Sequence, residues 1–432
     1  MKYYSTKRQT SPVSLKEAVL KGLPADNGLF MPEHIPALAD SFFEQIEQLS
    51  FQEIACQVAQ NLLGEDVAQD KLRELVTNAI NFPAPLVSLD SNIHILELFH
   101  GNTLAFKDFG ARFMAQLMGY FVEGSTATLD ILVATSGDTG SAVAHGFFNV
   151  PNIHVTVLYP KGKVSNFQEK QFTTLGGNIT ALEIDGTFDD CQALVKQAFL
   201  DKTLNKKLNL SSANSINISR LVPQSFYYFE AYKQLKDKKK PAVFVVPSGN
   251  FGNLTAGLLA KRMGLPIHQF VAATNANDIV PSYLQTGTYS PRPSTQTISN
   301  AMDVGNPSNF QRMLDLFESV EDMRNLIIGY AFDDEQTAQG MRTVKEKYKY
   351  IIDPHGAVGY LALEKYMKEV NKDINGIVLE TAHPVKFAEV VNPQIGEEVA
   401  IPERMRYLLG KPKISIPLGI DFEGFKEFLL KK

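Results

Sequence analysis

The spacing of apolar residues changes character along the chain. Over the first ~95 residues they recur every three or four positions, which predicts helices over 14–20 and 42–63. Pro83, Pro85 and the Ser/Asp-containing stretch 88–91 mark a boundary. Beyond it, apolar runs of strand length alternate with helical patterns. The run 131–134 precedes a helix-like 141–148, 153–158 precedes 166–174, and 179–184 precedes 189–199. Further runs lie at 243–246, 270–273 and 377–379. Such alternation predicts an α/β fold of parallel sheets with helices on both faces. Residues 276–345 are more polar with weaker strand signals, and read as an insertion on the sheet core. The basic run 236–240 before Pro241 reads as a solvated loop.

Composition narrows the class without naming it. At roughly 150 residues per domain, a chain of 432 residues makes two or three domains. With 44% apolar and 21% charged residues it can build a sizeable core without staples. A net charge of −5 disfavours nucleic acid or an anionic membrane as partner, though a local basic pocket for an anionic metabolite stays open. Cys56 and Cys191 are far apart and form no metal or disulfide spacing, which fits a reducing compartment. The N-terminus has no signal-peptide core and no apolar run is long enough to span a bilayer. The expectation is a cytoplasmic protein acting on a small molecule.

Candidate chemistry begins at H-G-N-T-L-A-F-K-D-F-G, residues 100–110. It opens a helix carrying Phe109, Phe113, Leu117 and Tyr120 at helical spacing, so Lys107 lies near a helix start beside two aromatics. Burial there would lower the pKa of its ammonium and free the neutral amine that condensation with an aldehyde requires. The same residues also suit a surface lysine between core phenylalanines, and this stretch alone does not separate the two.

Three loops follow strand-like runs. A-T-S-G-D-T-G at 134–140 and V-P-S-G-N-F-G-N at 246–253 each lead into a helix. Glycine lets backbone approach a ligand, and a helix N-terminus offers unpaired N–H groups to an anion. The third loop, L-E-T-A-H-P at 379–384, has no glycine and offers side-chain chemistry instead. Neither glycine loop matches a nucleotide-binding signature. Two such loops with a lysine upstream can hold a cofactor phosphate and a substrate carboxylate.

Taken together, F-K-D, S-G-D-T-G, N-S-I-N-I-S-R at 214–220, S-G-N-F-G-N and E-T-A-H-P resemble the threonine synthase family of pyridoxal-phosphate enzymes, fold type II. The resemblance covers nearly the whole chain. It includes V-S-L-K-E-A-V-L-K-G-L at 13–23 and D-N-G-L-F-M-P at 26–32, which look like that family's helical N-terminal domain. It implies a mainly helical domain over 1–95, a large cofactor-binding α/β domain over 96–128 and 240–432, and a small α/β domain over 129–239.

By the same resemblance, Lys107 is the Schiff-base lysine and proton shuttle. Gly249, Asn250, Phe251, Gly252 and Asn253 cradle the cofactor phosphate, and Thr381 faces the pyridine nitrogen. Ser136, Gly137, Asp138 and Thr139 meet the substrate carboxylate and ring oxygen. Asn214, Ser215, Asn217 and Arg220 bind a substrate phosphate, with Lys163 and Arg112 as lesser candidates. The implied reaction converts O-phospho-L-homoserine and water to L-threonine and phosphate in a monomer or homodimer. Asp138 departs from the asparagine of sulfhydrylase-type relatives. An acid beside a carboxylate repels it unless protonated or turned toward other donors, so its role stays open.

His100, His355 and His383 sit near these segments and suit either loop shaping or chemistry, while His145 reads as packing. Two other readings remain: a serine/threonine dehydratase or cysteine-synthase-like lyase, which needs neither the 214–220 set nor the N-terminal domain, and a catalytically silent ligand-binding homologue.

Overall fold

In the computed structural model, which describes residues 1–431, the apolar runs pair into two parallel sheets. The six-stranded sheet has the order Ile327–Ala331, Ile267–Thr274, Ala242–Pro247, Asn375–Glu380, Ile93–Glu97, Leu86–Ser88. All neighbours are parallel except the last pair. The five-stranded sheet is parallel throughout, in the order Ile416–Leu418, Ile179–Ile184, Ile153–Pro160, Leu129–Ala134, Asn209–Ser212.

Period-two geometry explains why the inner strands are apolar without interruption. In Ala242–Pro247, Phe244 and Val246 join one core cluster while Val243 and Val245 join another on the opposite face. The first cluster runs on through Ile131 and Val133 of the other sheet to Phe109 and to Leu62 of the N-terminal helices, so the two sheets share one core. Each large aliphatic or aromatic side chain removed from water there contributes about 1.5–3 kcal/mol. Helix Pro354–Glu369 covers the outer face of the larger sheet, and Phe188–Leu200 that of the smaller.

The N-terminal region is helical as its periodicity predicts, with a short antiparallel pair, Tyr3–Ser5 and Phe30–Pro32, added. Helix Phe51–Leu63 begins with a reciprocal Ser50–Glu53 capping box and buries Ile54, Val58 and Leu62.

Four features differ from the sequence-based division. Leu86–Ser88 and Ile93–Glu97 already belong to the six-stranded sheet, so the helical region ends earlier than residue 95. The polar stretch 276–345 is not an insertion outside the sheet, because Ile327–Ala331 is its edge strand, parallel to Ile267–Thr274. The tail leaves the large α/β unit: Ile416–Leu418 pairs with Ile179–Ile184, and helix Phe422–Lys431 places Phe425 and Leu429 against Leu182 and Leu194. Helix Phe226–Gln234, expected in the small domain, packs on Gly252–Arg262 and Phe51–Leu63 instead. Among the described residues, no helix is long and apolar enough to cross a membrane.

One buried cation ties these parts together. Arg312 is fully buried and no carboxylate among the described residues pairs with it. Its guanidinium donates to Phe30 O (3.2 and 3.0 Å), Asn309 Oδ1 (2.7 Å) and Ile216 O (2.7 Å). Burial pulls its pKa down to about 9, still high enough to stay charged at neutral pH. Arg312→Met keeps the volume but leaves three acceptors without a donor, so about 3 kcal/mol of stability should be lost. A denaturant titration reads this directly, and an unchanged midpoint would show that these bonds do not hold the N-terminal region in place.

Candidate active site

Local pairing, not the helix alone, fixes Lys107. Residues 104–106 run antiparallel to 381–383, with Phe106 N donating to Thr381 O (2.8 Å), His383 N to Leu104 O (3.0 Å), and a bridge between Ala105 and Ala382. Strand Asn375–Glu380 ends immediately before Thr381, and helix Lys107–Val122 begins with the lysine. The two residues are therefore brought together by backbone. Lys107 is not a surface lysine: its side chain is 18% exposed and Nζ lies 3.7 Å from Asp138 Oδ2. Burial lowers its pKa, Asp138 opposes that, and Lys386 and Arg220 reinforce it.

Asp138 is turned toward other donors. Its Oδ1 accepts from Gln168 Nε2 at 2.8 Å and meets Lys386 Nζ at 2.9 Å. Burial works against its charge, yet Lys386 and Lys107 hold the carboxyl well below the usual carboxylate range. The loop around it is closed by Thr135 Oγ1, which accepts from Gly137 N (2.9 Å) and Gly140 N (2.8 Å). Gly137 has φ 141° and a Cβ there would stand 2.7 Å from the Gln168 side chain, so only glycine fits. Helix Asp138–Phe147 starts at once, leaving first-turn N–H groups without intrahelical partners.

The 248–253 loop has its own brace. Asn253 donates from Nδ2 to Pro247 O (2.8 Å) and accepts at Oδ1 from Leu254 N (3.0 Å) and Ser248 Oγ (2.5 Å). Its side chain thus holds the loop, and what it can offer a ligand is its N–H. Phe251 adopts the left-handed conformation, and helix Gly252–Arg262 follows. Gly249 presses on the segment 299–309, where a Cβ would lie 2.7 Å from Met302 Cα. Asn250 links three stretches, donating to Ser215 Oγ (2.6 Å) and accepting from Ser308 N (2.5 Å).

Arg220 is 3% exposed, donates from Nη1 to Ala213 O at 2.6 Å, and has no partner at Nε. Burial pulls its pKa down to about 10, so it remains a cation. It lies against Gly110, where a Cβ would come within 2.8 Å of Nε.

Comparison with known proteins decides the family. A family model described as pyridoxal-phosphate dependent enzyme matches residues 76–380, flanked by models of the threonine synthase N terminus (2–80) and C-terminal region (356–429). Threonine synthase of Escherichia coli K12 is 46% identical over 100% of this chain and 99% of its own length. The chain belongs to the threonine synthase family. The Saccharomyces cerevisiae threonine synthase is 36% identical over 94% of this chain and 93% of its own. A crystal structure of E. coli threonine synthase, 45% identical, gives a TM-score of 0.91 over 100% of both chains. Pyridoxal-phosphate-bound threonine synthase from Brucella melitensis gives 0.94 at 34% identity, over 99% and 98%. Maize serine racemase, at 17% identity and a TM-score of 0.54, shares the fold alone.

The residues present fit the cofactor of this family. An aldehyde needs an amine of lowered basicity, which Lys107 supplies. A phosphate needs N–H groups at a helix start, which Gly252 provides after the left-handed Phe251. Thr381 carries a hydroxyl on the same segment that places the lysine.

Not every residue expected at a threonine synthase site is free to act there. Asn217 donates to Val19 O (2.8 Å) and accepts from Ser219 N (3.0 Å), capping helix Ile218–Leu221 and clasping the N-terminal region. Arg112 is spent on Ala79 O, Asn78 O, Asn81 Oδ1 and Asn102 Oδ1. Lys163 is exposed on the turn after Ile153–Pro160, Ser136 is exposed, and Thr139, Asn214 and Ser215 are half-buried.

The histidines have partners of their own. His355 Nδ1 lies 2.6 Å from Asp353 Oδ2 and its Nε2 accepts from Ala301 N (3.2 Å). His100 Nε2 lies 2.7 Å from Glu97. His383 Nδ1 accepts from Val385 N (3.2 Å), and burial pulls its pKa down to about 4, as it does for His145. Sequence reasoning missed Lys386, Gln168 and the 299–309 wall. The wall had a readable signal in S-N-A-M-D-V-G-N-P-S-N, whereas Lys386 in P-V-K-F had none.

Proposed function

We propose that this chain is a cytoplasmic threonine synthase that converts O-phospho-L-homoserine and water to L-threonine and phosphate, with Lys107 as the reacting amine. The observation that carries the reading is the backbone pairing of 104–106 with 381–383, which sets Lys107 and Thr381 side by side with the buried cation Arg220 nearby. Unpaired Cys56 and Cys191 support a reducing compartment.

The 249–253 N–H groups would hold the cofactor phosphate, and Thr381 would face the ring nitrogen. When bound, pyridoxal phosphate supplies an electron sink for the substrate carbons. Lys107 Nζ would take the α-proton and then one Cβ proton as phosphate leaves Cγ, and would return protons to Cγ and finally to Cα, while water adds its hydroxyl at Cβ and its remaining proton leaves with the phosphate. The 136–139 loop receives the substrate carboxylate through its N–H groups. Arg220, with Asn214 and Ser215, receives the phosphate and stabilises charge as that group departs. A monomer or homodimer suffices, since all these groups come from one chain.

Incubating purified protein with O-phospho-L-homoserine should yield threonine and inorganic phosphate in equal amounts. Deamination of serine or threonine without use of the phosphorylated substrate would instead mark a dehydratase.

A further inference from the structure

Lys386 is a lysine with no exposed side-chain surface, placed by the short helical turn Pro384–Phe387 that follows the Thr381 segment. All three of its protons have acceptors: Thr103 O at 2.6 Å, Gln171 Oε1 at 3.0 Å and Asp138 Oδ1 at 2.9 Å. Gln171 also donates to Thr103 O (3.0 Å), and Thr103 is fixed in turn by its N–H and hydroxyl to Asp108 (2.8 and 2.7 Å). The ammonium therefore has one position. The carboxylate it meets divides its oxygens: Oδ1 takes Lys386 and Gln168, while Oδ2 faces Lys107.

We propose that Lys386 and Asp138 form a charge-compensated pair in which Asp138 Oδ2 receives the Lys107 ammonium while Lys386 offsets the attraction, making Lys386 a positioning residue for the proton shuttle. An uncompensated carboxylate at this distance would trap the proton on Lys107 and repel an incoming substrate carboxylate. A compensated one steadies the ammonium when the amine takes a proton and still lets it give the proton back. It also gives an acid in the carboxylate-binding loop a physical purpose. The proton moves only between substrate carbons and Lys107 Nζ, and none is transferred to Asp138. The charged and titratable groups around them include Arg220 on helix Ile218–Leu221, Asp108 and Arg112 on the Lys107 helix, His145 on the Asp138 helix and His383 at the start of the Lys386 turn.

This inference rests on the reading of Lys107 as the cofactor-linked amine. Its test needs no amino-acid substrate, so its failure is separable from a failure of the substrate assignment. In the full-length holoenzyme, the visible absorption of the bound cofactor is titrated against pH. Lys386→Met should raise the midpoint, and Asp138→Asn should lower it by about one pH unit or more, since an opposite charge within 4–6 Å is worth about one to three units. The double variant should return toward the original value, and Lys386→Arg should restore most of it. A purely structural lysine would lower thermal stability and leave the midpoint alone. That result, or shifts of the same sign in both single variants, overturns the proposal. Should Lys386→Met fail to fold, Asp138→Asn alone decides by its sign. Gln168→Leu, which removes one donor from Oδ1, should then give a smaller rise.

Discussion

Lys107→Ala should lose turnover by a factor of about 10⁴ or more, because it removes both the covalent anchor and the proton shuttle, and proton transfer alone is worth about 10²–10⁴. The fold should survive. The side chain only approaches Asp138 at 3.7 Å and the Phe106 ring at 5.9 Å, while the helix it starts is held by Phe109, Phe113 and Leu117. Normal far-ultraviolet circular dichroism with loss of the cofactor on dialysis is the expected pair of results. Borohydride reduction of the unaltered holoenzyme followed by peptide mapping gives the complementary check. The nearby Lys386 makes this informative: label on residue 386, or on no lysine, would remove the basis for the whole mechanism.

Arg220→Ala should lower kcat/KM for O-phospho-L-homoserine about 30-fold or more, from a charge-assisted contact of about 2 kcal/mol. Its bond to Ala213 O is a confounding structural role, so two controls matter. Cofactor absorption should persist, and inhibition by inorganic phosphate should weaken in step with kcat/KM. Arg220→Lys should fall between, keeping the charge but losing the planar fork. Gly110→Ala tests the same group from the other side, since its Cβ would come within 2.9 Å of the Arg220 carbonyl oxygen and displace the arginine. Unaltered kinetics with the phosphorylated substrate in Arg220→Ala would assign the phosphate elsewhere.

Much of this architecture was written in the chain, and the gaps have physical causes. Runs such as 131–134, 243–246 and 377–379 are legible because a strand buried on both faces must be apolar throughout. Ile327–Ala331, Leu86–Ser88 and Ile416–Leu418 are edge strands, partly exposed, and carry no such continuity. Site residues divide in the same way. Lys107 and the glycine loops stand out because strand, turn and helix converge on them. Arg112 and Asn217 look like ligand groups in sequence, and only the fold shows that N-terminal carbonyl groups claim them. Asp138 was visible as an anomaly, but its explanation sits nearly 250 residues downstream in a lysine with nothing to distinguish it.

The strand order has a consequence for how such a protein comes into being. Ile93–Glu97 and Ala242–Pro247 do not pair with each other, and each waits for Asn375–Glu380 to be slotted between them. During synthesis the earlier two strands must remain unzipped until more than a hundred further residues emerge, and an open apolar edge is what invites clumping with other nascent chains. The reactive amine likewise stays unplaced until the same late insertion, so an incomplete chain should be both inert and sticky, and its maturation should depend on shelter from its neighbours.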